Sequence, residues 1–530
     1  MKKLICTLLY LLLFTAVHAQ TERVYVVTDR LSYLSGDRVW CSLFCLDESG
    51  QLSLRSAVAY VELISIEGTG AEAKMALLGG RGCGELVLPP QLPTGNYRLV
   101  AYTAFEGSEG ALLGSRVISV YNPFSLARVK GGVEVSATPV ISPEVADLSD
   151  GIQVSVPSRI RMERPFTLVV NGIASDLAVS VYCLDGLDQV PASTLETFLQ
   201  SFPLQAQHQA AWEYDGEVIR GTVSGAPEGS VAILSSAGAP DDTYFSQVEP
   251  DGTVRFATGN IYGDREMVCA VPDAGDQVRI RLESPFLHPS GGEIPALGLH
   301  ESQYTALIGR KNALSTLSGA DTLYTFLPRR EDLLLSGVSW ERYHLDDYNR
   351  FHTVQEIVVE ILPTVRLRRD HLEVSVSDGT QSTHRFKDKV LVMMDGVVIS
   401  DLQLLLNLDA MLLEDVYVCT EPIVSGYLSY DGVVNFVSKK NYVKALNFPE
   451  NVYVLDFKGV SYPLAYLGAA PQGRDVRRLL YWNPVLKIKA GETVRIPLVS
   501  PAYEGKFCVV AEGLSATGRA VRALSVFEVE

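Results

Sequence analysis

The feature that most constrains this chain is a succession of short β-branched and aromatic runs, cut at close intervals by turn residues. VYVVT (24–28), DRVWCSLFCL (37–46), AVAYVELISI (57–66), GELVLP (84–89), NYRLVAYTAF (96–105) and RVISVY (116–121) are such runs. Ser35-Gly36-Asp37, Glu48-Ser49-Gly50 and Thr94-Gly95-Asn96 separate them. Runs of this length and spacing predict an antiparallel sandwich. The pattern recurs over most of the 530 residues, and at roughly 150 residues per domain it implies three or four domains, or more if they are small. Apolar residues make up 47% and charged residues 20%, a globular balance. The net charge of −17 repels phosphate backbones, so no nucleic-acid partner is expected.

The N-terminus, MKKLICTLLYLLLFTAVHAQ, reads as an export signal. Lys2 and Lys3 precede the apolar run Leu4 to Val17, and cleavage is expected between Ala19 and Gln20. That run would span about 21 Å as a helix, short of a bilayer core. No later segment is apolar enough for a transmembrane helix. Beyond Cys6 the cysteines are Cys41, Cys45, Cys83, Cys183, Cys269, Cys419 and Cys508. Their odd number argues against a complete disulfide framework, and buried free thiols are expected. Cys41 and Cys45 would lie about 13 Å apart along a strand, too far for a bridge.

Two segments carry specific resemblances. TERVYVVTDRLSYLSGDRVW, followed by LPPQLPTGNYRLVAYT, resembles the macroglobulin-type sandwich at the start of certain gram-negative envelope proteins. The shared pattern is Thr-Asp-Arg, Tyr33, Gly36-Asp37 and then Leu-Pro-Thr-Gly-x-Tyr-x-Leu-x-Ala-Tyr-Thr. KVLVMMDGVVISD, LQLLLNLDAMLLEDVYVC and SGYLSYDGVVNFVSKK resemble the plug domain of TonB-dependent receptors. Asp395-Gly396, Glu414-Asp415, Tyr430 and Gly432-Val433 carry that match. Residues 213–286 are similar to the regulatory sandwich that accompanies some carboxypeptidases, with Asp251-Gly252 read as a hairpin turn.

The expected fold is mainly β: tandem antiparallel sandwiches of macroglobulin/Ig-like type, a helical connector and a small α/β plug-like domain. The boundaries read as a signal peptide (1–19), a macroglobulin-type sandwich (20–124), a second sandwich (125–210) and a regulatory-like sandwich (211–286). A connector (287–370), with helices at 301–317 and 349–362, the plug-like domain (371–445) and a C-terminal sandwich (446–530) follow. A receptor barrel needs more than about 200 residues of strands, and only 90 follow position 440. The plug-like unit is therefore either a soluble domain reused for contacts or a support for a barrel made by another chain.

Catalytic patterns fail on inspection. Gly82-Cys83-Gly84-Glu85-Leu86 resembles the GCGEQ thioester of alpha-macroglobulins, but Leu86 replaces the glutamine that supplies the acyl group. It reads instead as a Gly-rich turn. His344 and Asp347, with His352 nearby, have metal-like spacing without a supporting pattern. GTVSG (221–225) misplaces Ser224 for a nucleophile elbow. No phosphate loop or dinucleotide fingerprint is present. Trp40, Trp212, Trp340 and Trp482 are scattered and read as core.

The expectation is thus a secreted, non-enzymatic interaction or scaffold protein at the periplasmic face of the outer membrane, using no cofactor or metal. Its partner would be an envelope protein, with an outer-membrane β-barrel as one form. The alternative is an accessory that binds a glycan or peptide in nutrient uptake. Expected contact positions are Asp395, Gly396, Asp401, Tyr427, Tyr430 and Gly432, in the loops around 395–401 and 426–432, together with the connector.

Overall fold

The computed structural model describes residues 22–104, 114–135, 151–189, 193–200, 213–272, 274–289, 292–301, 303, 306–307, 310, 323–324, 339–369, 371–377, 384–425, 428–440, 442–466, 468 and 473–530. The Ala19/Gln20 junction, Tyr427, Trp212 and most of the helix expected at 301–317 lie outside them. The fold is mainly β, built of sandwiches, as the spacing of the runs predicts. Among the described residues no helix is long and apolar enough to cross a membrane. The chain divides into two units. One comprises Met1–Gly216, Pro285–Leu327 and Val460–Glu530; the other comprises Glu217–Ser284 and Pro328–Gly459.

The first unit begins with the stretch whose sequence resembles a macroglobulin-type sandwich. Glu22–Thr28 pairs antiparallel with Arg38–Asp47, which pairs with Arg81–Val87. Val58–Ser65, Gly95–Tyr102 and Arg116–Tyr121 form the opposing layer, and the short Ser32–Leu34 closes its edge in parallel. The long strand Gly68–Leu78 passes from one layer to the other. Alternate residues Val39, Cys41, Leu43 and Cys45 face the core, with Val61, Leu99 and Ile118 opposite. The other face of the same strand, Trp40, Phe44 and Leu46, packs on a second sandwich through Ala178, Tyr182 and Trp482. Arg38–Asp47 is buried on both faces, so its sequence reads as a nearly unbroken apolar run.

The Thr-Asp-Arg, Tyr, Gly-Asp signature is a closed ionic cluster. Arg30 bridges Asp29 and Asp37 at 2.8 Å each. The Tyr33 hydroxyl donates to Asp29 Oδ1 (2.7 Å), which also accepts the Trp40 amide (3.1 Å). Asp37 Oδ2 accepts the Leu34 amide at 2.9 Å. Buried charges persist only when paired in this way.

The second sandwich departs from the sequence reading. Stretches 125–210 and 446–530, read as two sandwiches, give their strands within 152–184 and 479–529 to a single one, while Tyr453–Phe457 belongs to the second unit. Ser175–Leu184 is a central strand, paired antiparallel with Leu479–Ile488 on one side and Gly505–Ser515 on the other. Pro165–Gly172 pairs with Thr493–Val499. Leu168, Val179, Val181, Leu498, Phe507, Val509 and Phe527 share one core. Each stretch brings one part of the core, and neither buries its apolar face without the other.

GCGEL lies inside the strand Arg81–Val87 rather than in a turn. Its glycines answer to packing. A Cβ at Gly82 would sit 2.8 Å from the Ala76 carbonyl oxygen, and one at Gly84 would sit 2.8 Å from Ser461 Cβ.

In the second unit, residues 217–284 form a sandwich completed by Tyr453–Phe457, which adds to Arg265–Ala270. Ala239–Gln247 and Thr253–Gly259 belong to different sheets, so the Asp251-Gly252 turn crosses between layers instead of closing a hairpin. Next to it stands a five-stranded mixed sheet in the spatial order Glu341–His344, Leu413–Cys419, Gly432–Ser438, Val390–Met394, Val397–Val398. Val390–Met394 and Gly432–Ser438 run parallel. One face of the sheet, with Met394, Val416, Val418, Val434 and Phe436, packs under the helices Val354–Glu360 and Leu402–Leu406. The other face, with Leu391, Met393, Cys419 and Val433, packs on Ile233 of the 217–284 sandwich.

The stretch 341–368 is thus part of this α/β layer and not of a connector. The helix read at 349–362 is confined to Val354–Glu360 because Thr353 caps it. The Thr353 hydroxyl accepts the Glu356 amide (3.2 Å), and Glu356 Oε2 accepts the Thr353 amide (3.1 Å).

Candidate functional site

The expected contact positions divide sharply. Asp395 and Gly396 form the two-residue turn between Val390–Met394 and Val397–Val398, both at positive φ (49° and 83°), as such a loop requires. The turn is buried against the chain itself rather than offered to a partner. Asp395 Oδ1 accepts the Ser438 amide (2.7 Å); Oδ2 accepts the Ser438 hydroxyl (2.6 Å) and the Val443 amide (3.3 Å). The Gly396 amide donates to Asn435 Oδ1 at 3.2 Å. Gly432 is also interior, since a Cβ there would meet the Cys419 carbonyl oxygen at 2.4 Å. Asp401 is exposed and caps Leu402–Leu406 by accepting the Gln403 amide at 2.9 Å. Tyr430 is half-buried, with the Lys389 ammonium 5.8 Å from its ring centre. Of the five described positions, Asp401 is exposed and Tyr430 half-buried.

His344, Asp347 and His352, whose spacing alone is metal-like, do not assemble into one site. His344 Nδ1 lies 2.9 Å from Asp415 Oδ1, while His352 lies 3.7 Å from Asp409. Arg342 grips the same Asp415 carboxylate with Nε (3.1 Å) and Nη2 (2.9 Å). His344, Glu414 and Asp415 are close enough to ligate a cation, but the Arg342 guanidinium already occupies the Asp415 carboxylate. Glu62, Glu72 and His288 make a second such group, missed in sequence because His288 is remote from the two acids. Glu62 there takes hydrogen bonds from Tyr102 and the His288 amide, and its other oxygen lies 3.1 Å from His288 Nδ1.

A groove of about 590 Å³ lies in the first unit. It lies where turns at one end of the second sandwich meet a loop of the first. Ala174–Asp176 supplies one wall and 487–492 another, the latter folded by Lys489 and Glu492. The 514–518 turn supplies the third; Ser515 Oγ accepts the Arg519 amide at 3.0 Å. Gln51 and Leu52 come from the first sandwich, on a loop held by Asp47 Oδ1, which accepts the Ser49 (2.8 Å) and Gln51 (3.1 Å) amides. Gln51 Nε2 reaches the Thr517 carbonyl at 3.3 Å. Leu52, Ile488 and Leu514 give apolar surface, and Asp176, Lys487, Lys489 and Glu492 give both charges. Asp176 is itself held by Arg81 at 3.0 Å. Sequence reading missed this groove because its walls are turns from three distant stretches.

No family model matches the chain, and no curated protein matches it. Among solved structures, native Escherichia coli alpha-2-macroglobulin is similar at 10% identity, over 96% of this chain and 40% of that one, with a TM-score of 0.25. Salmonella alpha-2-macroglobulin reacted with methylamine is similar at 10% identity, over 96% and 39%, with a TM-score of 0.25. The Yersinia pseudotuberculosis adhesin InvE is similar at 13% identity, over 49% and 57%, with a TM-score of 0.14. The chain spans about two fifths of the length of those macroglobulins. At such TM-scores the likeness carries no argument about function.

Proposed function

We propose that this chain is a non-catalytic interaction or scaffold protein, exported to the periplasmic face of the outer membrane, that holds an extended segment of an envelope protein. The observation that carries this reading is the groove between the two sandwiches of the first unit. Its side chains offer apolar surface flanked by both charges. That combination suits an extended peptide, whose alternate side chains meet an apolar and a charged surface in turn. The plug-like and regulatory-like resemblances belong to this reading as structural modules. The plug-like sheet packs on Ile233 and its neighbours, which favours a domain reused within the chain over one that fills a barrel.

The test is a photo-crosslinking residue placed at Lys489 or Gln51 in the full chain, expressed in a gram-negative host, with mass spectrometry of the adducts. An envelope protein cross-linked through an extended stretch is the expected result. Adducts confined to the chain itself, or identical at a control site such as Lys506, overturn it. A second reading, binding of a glycan or free peptide, is favoured by the groove's volume, which lies in the small-ligand range. A saturable thermal shift with such a ligand, lost in K489E, would replace the scaffold reading.

A further inference from the structure

Val61 and Leu63 of the strand Val58–Ser65 face the core of the first sandwich, so Glu62 between them faces outward. Its cross-strand partner on Gly68–Leu78 is Glu72. Two acids directly across a ladder repel each other, and here one of them, Glu62, is fully buried. A carboxylate in that position needs a cation, either a side chain or a metal ion. Among the described residues no lysine or arginine contacts Glu62; its one basic neighbour is His288.

The segment 286–288 covers the carboxylate. Phe286 meets Tyr60 edge-on at 5.8 Å, and the Tyr102 hydroxyl accepts the Leu287 amide (2.8 Å) and donates to Glu62 Oε1. The His288 amide also donates to Oε1 (3.1 Å), and a φ of 45° at His288 turns its ring to the other oxygen. Nδ1 then lies 3.1 Å from Glu62 Oε2, 3.2 Å from Thr69 Oγ1 and 3.4 Å from Glu72 Oε1. Thr69 Oγ1 is in turn 3.2 Å from Glu62 Oε2.

An imidazole nitrogen has one proton or one lone pair, directed along one line in the ring plane, and it cannot serve three oxygens. A metal ion at the centre is shared by all. Zinc ligands at about 2.0–2.2 Å from the ion stand roughly 3.3–3.5 Å from one another in a tetrahedron, close to the spacings found. We infer that Glu62, Glu72 and His288 form a site for one divalent transition-metal ion of the zinc class, with the Thr69 hydroxyl beside it. The nitrogen ligand selects against magnesium and calcium, which take oxygen. His288 is exposed, so the ion enters from solvent without unfolding the sandwich. Bound there, it fastens the segment 286–288 to the sheet. This inference does not rest on the groove.

The test uses the full chain without an affinity tag, stripped with EDTA. Titration with zinc chloride in a calorimeter should show one saturable site, and a large excess of magnesium should not compete for it. H288A and E72Q, at positions that are not buried, should each weaken zinc binding by about a hundredfold or more. E72Q serves if H288A does not fold. H344A, in the other histidine–acid group, should leave the binding unchanged. Crystals soaked in zinc chloride should give an anomalous peak at the zinc edge beside His288 Nδ1. No zinc uptake, uptake lost in H344A instead, equal affinity in H288A, or a peak only at other residues overturns the inference.

Discussion

The buried carboxylate of Asp395 separates a structural role from the contact role expected of its loop. Replacing it by alanine removes the acceptor of the Ser438 and Val443 amides and of the Ser438 hydroxyl. Ser438 and Val443 are themselves buried, so water does not substitute. Each unmet buried donor costs about 1–3 kcal/mol, the long bond to Val443 least and the rotatable hydroxyl little. Alanine at φ 49° adds about 1 kcal/mol. D395A should therefore destabilise the second unit by about 3–5 kcal/mol. D395N keeps one acceptor oxygen and tolerates the backbone, so its cost should be about 1–2 kcal/mol. D395G relieves the backbone but restores no acceptor, and it should fall between them. A chain of two units need not unfold in one step, so the readout should be local. Hydrogen exchange across a urea series, followed in peptides covering Val390–Met394 and Gly432–Ser438, meets that need. D395A within about 0.5 kcal/mol of the parent, or D395N as damaging as D395A, would refute the argument.

Two further outcomes follow from named groups. The hydrogen bond to Asp415 holds the His344 pKa above its usual 6.5, while Asp415 lies below its usual 3.8 because, despite partial burial, Arg342 and His344 outweigh desolvation. The His344 contribution is present below pH 6.5 and is lost as pH rises through its folded value; that of Asp415 is present above pH 3.8 and is lost as pH falls through its folded value. The strand Glu341–His344 should therefore be held best between those limits, and D415N should bring the His344 NMR midpoint down towards 6.5; an unmoved midpoint would clear Asp415 of the cause. The seven described cysteines are free and buried, and burial pushes the Cys269 and Cys508 thiols up to about 12. None should react with a maleimide in minutes at pH 8, and all should react in urea; fast labelling of the native chain would contradict the packing.

Local chemistry was legible in the sequence, and partnership between distant segments was not. Asp395-Gly396 declared its turn, because few residues tolerate two positive φ values in succession. The turn's burial depends on Ser438 and on Ile233's sheet, which no local window contains. Thr353 and Glu356 spelled out a helix start at Val354, five residues after the expected 349. Leu177, Val179 and Val181 alternate along one face of Ser175–Leu184, yet nothing in that strand points to Val509 or Tyr481, which pair with it from some three hundred residues away. The groove is assembled from such distant pieces, so it leaves no motif.

That divided sandwich also orders events while the chain is being made. Ser175–Leu184 emerges early from the ribosome, but its two neighbours, Leu479–Ile488 and Gly505–Ser515, come some three hundred residues later. At typical elongation rates of about 5–20 residues per second, a markedly apolar strand waits tens of seconds with both edges open. Open apolar edges recruit other chains, so nascent and truncated products should be the aggregation-prone species. Trimming a few dozen residues from the C-terminus would thus unmake a layer laid down near the start, rather than shorten the protein by one module.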